Sequence, residues 1–249
     1  MDCLQSRPPA HPTADLQKLW NGRSGRSLAS QSREFYAAVC AAYERYAERP
    51  LATARVLDFG CGWGRLTRLL ARDVGPGRLF GCDPVEGILD VCRSNRVPAT
   101  LARSDFRPQS LPFDERFDLA FAFSVFTHLS EPAHDDCLEV LHRALSPGGL
   151  LIITVRPPAY LERCEPMHPL LAAMGADVEA SLRRPHYLFV AHESTPGHPQ
   201  RRDDEQIDYG ETVISMAYMR ERWASRFSIL QVKLLLDDAY QVMITLRRR

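Results

Sequence analysis

Apolar and polar positions follow two rhythms along this chain. From Asp15 to Glu48 apolar residues recur at helical spacing, with Phe35, Val39, Ala42 and Tyr46 on one stripe. The stretch NGRSGRS splits this region into two helices, and Pro50 ends it. Short apolar runs then alternate with amphipathic ones. ARVLDF (54–59), RLFGCD (78–83), PATLAR (98–103), Phe117–Ser124 and LLIITV (150–155) read as strands. Trp63–Arg72, a segment opened by Pro84 and running through Cys92, and Glu131–Leu145 read as helices between them. Strands apolar on both faces, alternating with helices, predict a parallel sheet covered on both sides.

The rhythm stops after Val155, and about sixty residues pass before it resumes, far more than an ordinary connection. Two runs within them, HYLFVAHE (186–193) and YGETVIS (209–215), have the aromatic and β-branched content of paired strands. The Pro/His/Arg stretch between them, with the charged run RRDDE (201–205), reads as a mobile tip. Ser215 can cap a helix through Arg226. FSILQVKLLL (227–236) and YQVMITL (240–246), joined only by Asp237-Asp238-Ala239, predict an antiparallel hairpin. The expected organisation is a single domain over residues 1–249. It comprises an arm and helices (1–50), a core (51–155), an insertion that forms a lid (156–214), and a final helix with its hairpin (215–249).

Composition narrows the function without defining it. The 249 residues are 45% hydrophobic and 25% charged, as in an ordinary soluble protein. A net charge of zero argues against a partner gripped by bulk charge, so no nucleic acid is expected. No apolar stretch approaches the ~20 residues of a membrane span. The first residues lack an apolar signal core, so a cytoplasmic protein with no membrane partner is expected. Seven scattered cysteines, with no CxxC pair, suggest neither a disulfide framework nor a metal site.

The chemistry concentrates at three successive strand ends. VLDFGCGWG places Gly60, Gly62 and Gly64 directly after the first strand, a turn suited to close approach of backbone to a ligand. A dinucleotide fingerprint would need glycine at position 65, which is Arg65. The second strand ends in Asp83, whose carboxylate can accept both hydroxyls of a ribose. Asp105 follows the third strand, where it can take an adenine amino group while Phe106 offers an apolar face. Any one of these could be a plain turn residue or helix cap; three in order at βα junctions make chance a poor explanation.

Together with FDLAFAFSVFTHL (117–129), LSPGGLLIIT (145–154) and the closing hairpin, these motifs resemble the class I S-adenosylmethionine-dependent methyltransferase superfamily, in its Rossmann-like small-molecule form. The resemblance covers roughly residues 52–155 and 215–247. It implies an α/β fold: a Rossmann-like seven-stranded, mostly parallel sheet with an antiparallel C-terminal hairpin and helices on both faces. It implies S-adenosyl-L-methionine as cofactor, with Asp58, Gly60, Cys61, Gly62 and Gly64 around its methionine part. Asp83 and Pro84 would lie at the ribose, Asp105 and Phe106 at the adenine, and Ser124 in the fourth-strand motif. Methyl transfer on this fold is an in-line displacement that needs no metal.

His128, just after the fourth strand, is the candidate base, with a structural loop histidine as the alternative. Arg156, Tyr160, His186, His192 and Tyr209 are candidate substrate contacts at or within the insertion. Trp20 and Arg26 belong to a segment that related enzymes often fold over the cofactor. Trp63 is expected to pack at the start of the first helix. Arg65 is expected either near the cofactor carboxylate or on a solvated helix face. RPPAY (156–160) resembles a signature of nucleic-acid amino-methylating enzymes but follows the wrong strand, so a small-molecule acceptor is favoured. Oxygen, nitrogen and carbon acceptors all occur on this fold, and no residue pattern selects among them. A nicotinamide-dependent oxidoreductase and a non-catalytic cofactor-binding protein are the alternatives.

Overall fold

Every central strand is apolar on both faces, and this fixes the architecture. The computed structural model describes residues 9–175, 177–192 and 208–249. In chain order the elements are α1 (Ala14–Asn21), α2 (Gly25–Tyr46), β1 (Val56–Phe59), α3 (Thr67–Leu70), β2 (Leu79–Asp83), α4 (Glu86–Ser94) and β3 (Thr100–Arg103). There follow β4 (Phe117–Ala122), α5 (Glu131–Ala144), β5 (Leu145–Val155), α6 (Tyr160–Arg163), α7 (His168–Ala173) and α8 (Val178–Leu182). The chain closes with β6 (Tyr187–Ala191), β7 (Gly210–Ile214), α9 (Met216–Arg222), β8 (Phe227–Leu234) and β9 (Val242–Arg248).

Seven strands form one sheet in the order β3-β2-β1-β4-β5-β9-β8. β1 to β5 are mutually parallel, and β9 pairs antiparallel with both β5 and β8. β9 is therefore the one reversed strand, and β8 runs with the parallel set. Alternate residues feed two separate cores. Val56, Leu119, Phe121 and Ile152 pack beneath α2 and α3, with Phe35 and Tyr43. Leu57, Ala120, Ala122 and Ile153 face α5 and α9, with Leu138 and Trp223. The helices lie on both faces, as the pattern requires.

The insertion is built as its composition suggests. β6 and β7 pair antiparallel from Tyr187↔Ile214 to Ala191↔Gly210. Bridges Leu129↔Tyr209 and Arg156↔Val213 tie this small sheet to the carboxyl edge of the large one. Its own apolar cluster is Leu161, Cys164, Met167 and Val213. The tip expected to be mobile lies outside the described residues.

Two expectations need correction. The helix expected over Trp63–Arg72 is regular only over Thr67–Leu70, because Gly62 and Gly64 keep left-handed backbone (φ +53° and +76°) and hold the preceding residues in turns. β5 begins at Leu145, five residues before the apolar run, since Leu145 already pairs with Phe117. Among the described residues no helix is long and apolar enough to cross a membrane.

Candidate functional site

A cavity of about 840 Å³ opens at the carboxyl ends of β1, β2 and β4. That is room for a cofactor and a small second molecule. Its floor is the turn after β1. Gly60, Gly62 and Gly64 all have positive φ (+74°, +53° and +76°). A Cβ at Gly60 would sit 2.4 Å from Val125 Cγ2, and one at Gly62 would sit 2.7 Å from Trp20 Nε1. One at Gly64 would meet Val97 at 2.8 Å. The protein's own side chains thus already demand the glycines. Gly60 and Gly62 line the cavity with Asp58 and Cys61; Gly64 does not, and faces Val97 and Cys92 instead.

Two buried acids stand beneath this turn. Asp58 accepts a hydrogen bond from Thr67 Oγ1 at 2.6 Å, and burial pushes it up to about 7. Asp83 accepts one backbone N–H on each oxygen, from Gly62 (2.9 Å) and Val85 (3.0 Å), and burial pushes it up to about 6. Each Asp83 oxygen keeps a second lone pair for a ligand hydroxyl. Pro84, Asp105 and Phe106 continue the wall, with Asp105 exposed at the rim.

These acids make a pH prediction. Both folded values lie above the 3.8 of an unperturbed aspartate, so the folded chain holds protons the unfolded chain has released. That stabilisation is complete below about pH 4 and is lost as pH rises through about 7. The melting temperature without cofactor is expected to fall from about pH 5 to about pH 8. Asp58→Asn should flatten the decline and melt higher than wild type at the alkaline end. Parallel thermal scans of the two proteins across that range check this.

The opposite wall comes from the N-terminal segment and the insertion. Trp20 and Arg23 line it, whereas Arg26 is exposed and does not. Trp63 packs with Leu28 and Ile88, its indole N–H donating to Asn21 Oδ1 at 2.8 Å. Arg65 is not on a solvated helix face. It is 8% exposed, donates to Gln31 Oε1 and Ser32 Oγ, and lies 4.7 Å over the Phe123 ring.

His128 sits where β4 meets the insertion. Its Nδ1 lies 2.7 Å from the Gly210 carbonyl oxygen, and its Nε2 3.4 Å from Ser124 Oγ. Tyr209 stacks on the ring at 5.0 Å. Burial pulls the imidazole down to about 4, so it is neutral near pH 7. Ser124 holds an unusual positive φ of +60° and also accepts from Gln241 Nε2 at 3.0 Å.

The sequence reading missed Glu211 and Gln241. Glu211 Oε2 accepts from Tyr160 Oη (2.8 Å) and Arg156 Nη2 (3.5 Å), while Oε1 meets His192 Nε2 at 3.1 Å. Burial alone would raise Glu211, but the His192 bond, with His128, Arg156 and Tyr160 beside it, outweighs that and holds it well below the usual carboxylate range. Gln241 lines the cavity and keeps its buried Oε1 without a hydrogen bond. No local signal marks either residue, since each sits in an ordinary strand pattern or its approach. Arg156, Tyr160, His192 and Tyr209 all line the cavity. His186 does not: its backbone N–H donates to Ser215 Oγ, and its ring lies by Ser181.

Comparison with known proteins agrees with this geometry. A family model described as a methyltransferase domain matches residues 56–149. A trans-aconitate 2-methyltransferase from Variovorax paradoxus is 34% identical over 137 residues, 55% of this chain and 50% of that protein. A ubiquinone biosynthesis O-methyltransferase from Ruegeria pomeroyi is 33% identical over 138 residues, 53% of this chain and 50% of that protein. The chain thus spans about half the length of the curated relatives it matches. In fold, it is similar to magnesium protoporphyrin IX methyltransferase from Synechocystis PCC 6803, solved with bound SAH. The TM-score is 0.59 at 15% identity, over 94% of each chain. It is also similar to an S-adenosylmethionine-dependent methyltransferase from Mesorhizobium loti. There the TM-score is 0.52 at 20% identity, over 84% of this chain and 96% of that one.

Proposed function

We propose that this chain, a member of the class I S-adenosylmethionine-dependent methyltransferase superfamily, moves a methyl group from that cofactor to a small acceptor molecule beside Arg156, Tyr160, His192 and Tyr209. One observation carries the reading: the glycine turn, Asp83 and Asp105, from three successive strand ends, open onto one cavity whose far wall is the insertion. The residues fit the cofactor. Asp83 has lone pairs for ribose hydroxyls, Asp105 and Phe106 suit an adenine, and the buried acids below Gly62 favour a cationic centre. When bound, the cofactor supplies an electrophilic methyl group. The chain's own work is alignment and exclusion of water.

His128, Ser124, Arg156, Tyr160, His192 and Tyr209 line the acceptor side. His128 is placed to accept a hydrogen bond from an acceptor hydroxyl and take its proton. The relatives' names point to trans-aconitate and to ubiquinone biosynthesis, and from them we take a small-molecule acceptor, not its identity. The buried Arg65, where a dinucleotide site wants glycine, disfavours the nicotinamide alternative.

Calorimetric titration tests the cofactor. S-adenosylhomocysteine should bind at one site and NAD should not; the reverse result would overturn the reading. His128→Ala should lower turnover about 10²-fold or more while S-adenosylhomocysteine affinity stays at the wild-type value. An unchanged rate would return His128 to a structural role. A chain that binds the cofactor and turns over no acceptor would be the non-catalytic alternative.

A further inference from the structure

Three side chains from separate segments converge at the acceptor end of the cavity: His128 after β4, His192 after β6 and Glu211 on β7. One ring nitrogen of each histidine and one carboxylate oxygen lie within 4.8 Å of one another. Glu211 Oε1 is 3.1 Å from His192 Nε2 and 3.7 Å from His128 Nδ1. Ligands of one first-row metal ion, at bond lengths of about 2.0–2.2 Å, stand roughly 3–3.5 Å apart, so two of the three separations are already near that range. The geometry points to a binding site for a divalent first-row transition-metal ion, held by His128, His192 and Glu211.

The surroundings support it. Outer partners fix the ligands of real metal sites, and Glu211 shows that arrangement. Its Oε2 is held by Tyr160 and Arg156, which leaves Oε1 turned to the two imidazoles. The side chains of His128 and Glu211 are 12% and 13% exposed, while that of His192 is 38% exposed, so the site is sheltered with one open side. The two imidazole rings stand perpendicular, 6.2 Å between centroids, with Tyr209 stacked behind His128. The Gly210 carbonyl oxygen accepts from His128 Nδ1 at 2.7 Å, a hydrogen bond that an ion on that nitrogen would displace. The donor set also chooses the metal. Two imidazoles with one carboxylate suit zinc, cobalt, iron or manganese; magnesium and calcium prefer oxygen. The expectation of no metal came from the absence of local ligand spacing. Here His128 and Glu211 are 83 positions apart and meet only through the fold.

The site stands whether or not the chain transfers methyl groups, and its test reads metal directly. The full chain, stripped with chelator, is titrated with Zn²⁺ by calorimetry, and its metal content is measured after dialysis. Co²⁺ substitution then gives an independent visible spectrum. One equivalent is expected, with affinity at least about 10-fold weaker in His192→Ala and Glu211→Gln. His168→Ala, an exposed histidine on α7, should bind as wild type. His192, near the surface, is the variant safest for folding, and circular dichroism checks all of them. No stoichiometric ion, or Zn²⁺ binding that survives both His192→Ala and Glu211→Gln, overturns the proposal. S-adenosylhomocysteine titration of the stripped protein is read separately, so a failed metal site leaves the cofactor result standing.

Discussion

Asp83→Ala is expected to bind S-adenosylhomocysteine about 10- to 100-fold more weakly than wild type, since hydrogen bonds to charged groups are worth about 1.5–3 kcal/mol. Two losses add. The variant removes the acceptor for ribose hydroxyls, and it frees the Gly62 N–H that Asp83 holds at 2.9 Å, loosening the floor of the cavity. The effect should not come from unfolding, because a buried acid raised to about 6 costs the empty protein stability near neutral pH. Asp105→Ala serves as the graded control: Asp105 is exposed at the rim, and its loss should be smaller. Calorimetry on the three proteins, with circular dichroism for the fold, checks this. A folded Asp83→Ala protein with wild-type affinity would remove the ribose assignment.

Gly210→Ala is expected to lower methyl transfer about 10²-fold while S-adenosylhomocysteine still binds, the scale on which a small misplacement of a catalytic group acts. Gly210 begins β7 where it meets the end of β6. An added Cβ would stand 2.1 Å from the Val190 carbonyl oxygen, so one strand must move. The same residue bonds His128 twice, its N–H donating to the His128 carbonyl at 2.8 Å and its carbonyl meeting Nδ1 at 2.7 Å. Displacing β7 therefore shifts His128, Tyr209 and Glu211 together and leaves the glycine turn untouched. Single-turnover rates beside cofactor affinities separate the outcomes. Full-rate transfer would make the insertion a surface excursion with no part in the reaction.

The sheet was legible because its strands are apolar on both faces and punctuated by glycine and proline, a pattern few other arrangements satisfy. The insertion's two strands were legible for the same reason of local composition. What local composition cannot carry is distance. Glu211 reads as one polar position on a strand, and long-range pairing, including the bridge Leu129↔Tyr209 and the Gly210–His128 bonds, brings it beside His128. Arg65 and Gly64 show the converse. A motif register placed Gly64 at a ligand, yet it turns toward Val97, while Arg65, left open between the cofactor and solvent, is buried under α2 by Gln31 and Ser32 and still lines the cavity. His186 shares its run with His192 but lies at the opposite end of β6, by Ser181 and Ser215.

The glycine turn bears on how this chain can change over generations. Each of its three glycines is determined twice, once by a left-handed backbone and once by a neighbouring side chain, Val125, Trp20 or Val97. Shrinking Val125 would clear space at Gly60 but leave the backbone penalty of roughly 1–2 kcal/mol for any other residue. Relaxing the backbone would leave the collision. Drift through this turn therefore needs paired substitutions arriving together. Such a segment would stay constant among descendants even after a lineage had given up the ligand, so its persistence in a relative records ancestry and folding before it records chemistry.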